Sequence, residues 1–137
     1  MVILLIEGKQ LLFVMLTVDG GVNRMGIGNY SDDPLDDEIF IGKSNDNLFQ
    51  QALALIDNEL LENMGQAFSD PNPKGETCKL SVLIQFVSGE STGVEFTYGS
   101  ESMGPPPEIG QLASSIVKIT NQWYIQQKDR VRKSRKK

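Results

Sequence analysis

Two runs of alternating apolar residues, joined by a turn, constrain the fold of this chain most. They lie between Cys78 and Pro107 and flank the segment 88–93, whose residues (SGESTG) are typical of a turn. An apolar residue at every second position indicates a strand with one buried face. We therefore predict a β-hairpin here, with the rest of the chain arranged to cover one of its faces. The alternating residues are Leu80, Val82, Ile84 and Phe86 in the first run and Val94, Phe96 and Tyr98 in the second.

The N-terminal part of the chain contains two apolar segments, 2–6 and 11–18, of which the second is interrupted only by Thr17. Runs of this kind are typical of strands that are covered on both faces. Either the intervening segment 7–10 is a hairpin turn, or the first segment is a loosely attached arm. Because the two segments carry more apolar surface than one covered face requires, we expect a homo-oligomer, formed by dimerisation or by pairing of sheet edges.

A second hairpin is expected directly after these segments. Asp19-Gly20 best fits a type I′ turn, from which residues 22–28 return as a strand. Gly26 and Gly28 in that strand predict a bulge or a close approach of another backbone. A short strand at 39–41 follows.

Two amphipathic helices complete the predicted fold. Ser44 or Asn45 caps the first helix, and Gly65 ends it. Pro107 suits the first turn of the second. We predict an α+β fold, a two-layer sandwich with a mainly antiparallel sheet and two helices on one face, in the order β-hairpin–α–β-hairpin–α.

The residue counts exclude several kinds of chemistry. The chain has 137 residues, with Cys78 as its single cysteine and no histidine. A disulfide framework within one chain, a Cys/His zinc site and a Ser-His-Asp triad are therefore excluded. We expect no metal and no cofactor, and a binding protein rather than an enzyme. Segment 2–6 is too short for a secretory signal, and no apolar run approaches the roughly 18–20 residues of a membrane span; we expect a cytoplasmic protein without a membrane partner.

Basic residues are concentrated at the C-terminus. We assign residues 1–127 to a single α+β domain and 128–137 to a basic C-terminal tail or helix extension. The tail has a formal charge of +6, whereas the first 127 residues, with six basic and seventeen acidic side chains, have −11. Such a tail can bind nucleic-acid phosphates, solubilise the terminus or dock on an acidic surface, including that of its own body. Its basic residues are Lys128, Arg130, Arg132, Lys133, Arg135, Lys136 and Lys137.

Acidic residues are concentrated in the segment 29–38. Their oxygens could coordinate a hard cation, but the segment lacks the spacing of an EF-hand loop. A solvated acidic surface is the favoured interpretation, and it would suit a basic protein partner. The residues concerned are Asp32, Asp33, Asp36 and Asp37.

A few other residues are candidates for binding. Arg24 could bind a carboxylate or phosphate, or it pairs with a neighbouring acid such as Asp19. The corner before the second helix could present an anion site or a serine nucleophile, although a rigid corner that sets the helix angle is favoured. Trp123 and Tyr124 would anchor an interface if exposed and fill the core if not. The corner residues are Tyr98, Ser100, Glu101, Ser102 and Met103.

These observations predict a non-enzymatic protein–protein interaction module that self-associates. By analogy of architecture alone, it would be of the accessory, inhibitor or immunity type. One alternative is an accessory protein that binds nucleic acid through its basic tail. A second alternative is a small enzyme that uses Arg24 and carboxylates.

Overall fold

The computed structural model describes residues 1–8, 11–28, 32–56, 67–69, 75–86, 88–99 and 107–135. Within these ranges the chain forms one sheet of seven strands, two α-helices and a short 3₁₀ helix. In chain order the elements are β1 (Val2–Glu7), β2 (Leu12–Leu16), β3 (Gly21–Gly26), the 3₁₀ helix (Pro34–Asp37), β4 (Phe40–Lys43), α1 (Leu48–Ala54), β5 (Ala67–Ser69), β6 (Thr77–Gln85), β7 (Ser91–Gly99) and α2 (Pro107–Arg135).

The strands lie in the order β4-β3-β2-β1-β6-β7-β5. Neighbours are antiparallel, except that β5 runs parallel to β7. The first strand is therefore central, between β2 and β6, and is not a loose arm. The hairpin predicted from the alternating pattern is the β6–β7 pair, in which Leu80 lies opposite Phe96 and Val82 opposite Val94.

Both α-helices pack on one face of the sheet. Alternate residues of β1, β2, β3 and β6 are buried on that face, and their apolar members form a single hydrophobic core with residues of both helices. The predicted fold class, a two-layer α+β sandwich, is confirmed. The core includes Val2, Leu4, Ile6, Leu12, Val14, Leu16, Leu80, Val82 and Ile84 from the sheet, Leu48, Phe49 and Ala52 from α1, and Ile109, Leu112 and Ile116 from α2.

A turn at Asp19-Gly20 joins β2 to β3 as predicted, but it is not of type I′, because Gly20 has a positive φ and Asp19 does not. Gly20 has a φ of +92°, a conformation that glycine adopts without steric penalty. Gly26, at the end of β3, has a φ of +82°, and a Cβ atom there would collide with the carbonyl oxygen of Leu11. The close backbone approach predicted for this glycine is thus present.

Two further local predictions need correction. In the part of the chain that the structure describes, β1 and β2 are covered on one face only, because their buried residues alternate with half-buried ones. Helix α1 begins at Leu48, after Asn47 in a left-handed conformation, and not after Ser44 or Asn45. The Ser44 hydroxyl instead accepts a hydrogen bond from the Asp46 N–H. The helix end predicted at Gly65 lies outside the described residues.

Helix α2 continues without a break to Arg135. The boundary proposed at residue 127 therefore falls inside one helix. Neither this helix nor any other in the described ranges is long and apolar enough to cross a membrane.

Candidate binding surface

The sheet face opposite the helices carries apolar side chains on its central strands. Because side chains alternate along a strand, Ile3 and Leu5 of β1 point away from the core formed by their neighbours. Phe13 and Met15 of β2 do the same. All four are half-buried, and none belongs to the hydrophobic core.

Strand register joins these side chains into one continuous surface. Ile3 lies opposite both Met15 and Leu83, and Leu5 lies opposite Phe13. Directly opposed side chains in antiparallel strands have Cβ atoms about 4.5–5.5 Å apart, close enough to touch. We call this surface the apolar sheet patch; it consists of Ile3, Leu5, Phe13, Met15, Met25, Ile41 and Leu83. Ile41 lies opposite the polar Asn23 and joins the other members only diagonally, next to Met25.

The margins of the apolar sheet patch are the most exposed. Ile41, on the edge strand β4, is 72% exposed, and Leu83, on β6, is 39% exposed. Scattered exposed apolar residues are ordinary, whereas a contiguous apolar area is typical of a binding surface. Within the described residues, this is the largest group of apolar side chains that register places side by side outside the core.

The charged strand residues on this face balance one another. Lys79 and Glu95 form an ion pair of 2.8 Å, and the hydrogen bond from Lys79 to Glu95 raises the pKa of the lysine. Glu7, the last residue of β1, lies opposite Lys79, and Lys43 is the last residue of β4. Two acids and two bases thus give this face no formal charge, although the whole chain carries −5.

Arg24 lies in the core and not at the surface. It is 0% exposed, on the same face of β3 as Val22, where it meets α2. Its Nη1 donates to Thr120 Oγ1 at 2.9 Å and to Asn121 Oδ1 at 2.8 Å. Desolvation lowers the pKa of its guanidinium to about 10. Asp19, the acid suggested as its partner, instead accepts hydrogen bonds from Thr17 and Gly21.

The basic end of α2 docks on the acidic 3₁₀ segment of its own chain. Lys128 Nζ donates to Asp36 Oδ1 at 2.9 Å, and both side chains are buried. Arg132 pairs with Asp33, and Arg135 pairs with Glu38 at 2.8 Å. We call these six residues the acidic–basic clasp. The basic residues at the end of α2 therefore contact an acidic surface of the same chain, which is one of the three interpretations of the tail that the sequence left open.

The remaining predicted residues are distributed between core and surface. Tyr98, Trp123 and Tyr124 are buried, and Trp123 Nε1 donates to the Lys43 carbonyl oxygen at 3.1 Å, which ties α2 to β4. Burial raises the pKa of Tyr98. Exposed residues are Asp32, Asp37, Arg130 and Lys133; Ser100, Glu101, Ser102, Met103, Lys136 and Lys137 lie outside the described residues.

Sequence analysis identified the segments that form the apolar sheet patch but not the patch itself. The apolar runs 2–6 and 11–18 contain four of its members. Because nearly every residue in these runs is apolar, the sequence did not indicate which of them face the helices. Met25, Ile41 and Leu83 join the patch only through the pairing of the strands. The signal available in the sequence was the excess of apolar residues over the needs of one covered face.

No cluster of three or more His, Cys, Asp or Glu in the described ranges is placed to hold a metal ion. Comparison of the chain with models of protein families, with curated proteins and with solved structures found no match.

Proposed function

We propose that this protein is a non-enzymatic protein–protein interaction module that binds through the apolar sheet patch. The observation that supports this proposal is that register places six apolar side chains side by side on the sheet face opposite the helices, with Ile41 diagonal to one of them. Burying such a surface against a partner is favourable by about 25 cal/mol for each Å² of apolar area removed from water. An open apolar sheet face suits a protein partner better than a small polar substrate, which would need a concave site with convergent polar groups.

A basic partner held by the acidic segment has less support. Asp33 and Asp36 already pair with cations of α2, so they are not available without opening the acidic–basic clasp. Asp32 and Asp37 are exposed and could still contribute to steering a basic partner toward the protein.

The two alternative functions also have less support. Nucleic-acid binding through the tail would draw on Lys128, Arg132 and Arg135, which pair with the chain's own acids. Catalysis by Arg24 would require access to a guanidinium that is 0% exposed. We also propose that the protein acts in the cytoplasm, where its free and buried Cys78 would stay reduced.

Affinity capture with two matched variants tests the proposed function. Leu83→Lys places a charge in the apolar sheet patch, whereas Leu55→Lys places the same charge after α1; the two leucines are 39% and 38% exposed. We expect the wild type and Leu55→Lys to retain the same protein partner from a native extract and Leu83→Lys to lose it, because a lysine would have to be desolvated in the interface. Equal retention by both variants would contradict binding through the patch.

A further inference from the structure

We propose that the occupant of the apolar sheet patch is a second copy of this chain, packed face to face in a two-fold symmetric dimer. This inference rests on the proposed function and specifies its partner. Two antiparallel sheets commonly pack through their inner faces about 10 Å apart, with side chains from both sheets interdigitating. The dimer would thus have four layers, with the helices outside and two sheets in the centre.

Shape and composition favour a second copy. A symmetric dimer brings each surface against itself, so an apolar sheet face meets another apolar sheet face of equal size. Leu5 and Phe13, which lie opposite each other on the central strands β1 and β2, would occupy the middle of the interface.

Charge favours the same arrangement. Two copies of a chain with a net charge of −5 repel each other, so they associate best through a face without net charge. The charged strand residues of this face are Glu7, Lys43, Lys79 and Glu95, which sum to zero and lie around the apolar residues. The excess negative charge of the chain therefore lies elsewhere.

The dimensions of the face match a reversible dimer. Six neighbouring strands spaced about 4.8 Å apart, each exposing a length of about five or six residues, give a projected area of roughly 500–600 Å² for each copy. Two copies would bury roughly 1,000–1,200 Å² in total, near the lower bound of about 1,200 Å² for stable interfaces. We therefore expect a dimer that dissociates on dilution in the micromolar range.

Sedimentation of the full chain, with two matched double variants, tests the dimer. Ile41→Lys with Leu83→Lys places two lysines at opposite margins of the apolar sheet patch. Ile125→Lys with Leu55→Lys places two lysines on the helix side; Ile41 and Ile125 are 72% and 52% exposed. All four residues are exposed, so both variants should fold, and circular dichroism with thermal unfolding checks this.

We expect the wild type and the helix-side variant to change from monomer to dimer over a range from about 1 µM to about 1 mM. The patch variant should dimerise at least ~100-fold more weakly, since each substitution at a buried interface position weakens binding about tenfold. Equal dimerisation of the two variants would contradict this interface. A wild type that stays monomeric throughout would contradict a second copy as the occupant.

The two proposals fail in distinguishable ways. If the wild type is monomeric but captures a partner that Leu83→Lys loses, the patch binds a different protein and only the dimer is refuted. If the wild type is monomeric and Leu83→Lys retains every partner that Leu55→Lys retains, both the dimer and the proposed function are refuted.

Discussion

Tyr124 connects two buried cations with the acidic segment. The Arg24 guanidinium lies 4.3 Å from the centre of its ring, and the Lys128 ammonium lies 4.7 Å from it. Its hydroxyl accepts from the Gly26 N–H at 3.2 Å and donates to Asp36 Oδ1 at 2.7 Å. A hydroxyl that donates to a buried carboxylate keeps its proton. Burial and the bond to Asp36 accordingly raise the pKa of Tyr124 far above its usual value.

The raised pKa predicts a loss of stability at alkaline pH. The pKa of Tyr124 in the folded protein lies above the value of about 10 for an unfolded chain. The stabilisation that Tyr124 contributes is therefore complete below about pH 10 and is lost as the pH rises toward the folded pKa. We expect the free energy of unfolding to fall more steeply above about pH 10 in the wild type than in Tyr124→Phe. Urea unfolding of both proteins between about pH 8 and about pH 11 measures the two slopes.

The difference between the two proteins reports Tyr124 together with its effect on the neighbouring Arg24. The lowered pKa of Arg24 has the opposite effect over the same range, because the unfolded chain then binds more protons than the folded one. Tyr98, whose pKa is also raised, is present in both proteins. Parallel slopes for the wild type and Tyr124→Phe would contradict the assignment.

The position of Arg24 shows what residue types alone cannot predict. Alternation along β3 places it on the same face as Val22, which the sequence could have indicated. The buried cation depends on oxygen acceptors that come mostly from α2, where Thr120 and Asn121 lie 96 and 97 residues further along the chain. Backbone carbonyl oxygens of Gly26 and Val117 also accept from the guanidinium. That pairing depends on how α2 crosses the sheet, and no local pattern encodes it.

At the scale of elements, the 3₁₀ segment and the C-terminal part of α2 stabilise each other. Asp36 accepts hydrogen bonds from both Tyr124 and Lys128, and the two charged side chains of this group are largely desolvated. Arg135 and Glu38 are exposed, and a pair of that kind contributes only about 0–1 kcal/mol. The stabilisation of the acidic–basic clasp therefore lies mainly in Asp36 and its partners.

Two neighbouring aspartates provide a matched test of the clasp. Asp36→Asn leaves the buried Lys128 ammonium with the more distant Asp33 carboxylate, at 3.6 Å, as its anionic partner, and we expect it to lower the free energy of unfolding by about 1–3 kcal/mol. Asp37→Asn changes an exposed carboxylate in the same segment and should have an effect within about 0.5 kcal/mol. Chemical denaturation of both variants measures the difference. Similar losses of stability would show that Asp36 has no special part in holding α2.

Elements with one buried face were predictable, and those with two apolar faces were less so. The β6–β7 hairpin and the amphipathic helix α2 follow from periods of two and of three to four residues. The central place of β1 did not follow, because an uninterrupted apolar run identifies a strand but not its neighbours. The start of α1 was misplaced because Asn47 adopts a left-handed conformation, which side-chain capping preferences do not anticipate.

At the scale of the whole molecule, the two faces of the sheet differ in how far they are covered. One face and both helices form a closed core, whereas the other face carries apolar side chains that the described residues leave partly exposed. Outside the sheet, three acids and three bases pair with each other in the acidic–basic clasp. We therefore expect the apolar sheet patch, rather than either charged region, to dominate the binding behaviour of the protein.

Access of a soluble paramagnetic agent to isoleucine methyl groups, measured by NMR at increasing protein concentration, tests this claim most directly. Ile84 in the core should stay protected throughout, and Ile125 on α2 should stay accessible. We predict that Ile3 and Ile41 are accessible in dilute protein and become protected as the concentration rises, because the second copy covers them. Two results would contradict an exposed patch that is covered by self-association. In the first, Ile3 is protected from the agent even in dilute protein. In the second, Ile41 stays as accessible as Ile125 at every protein concentration.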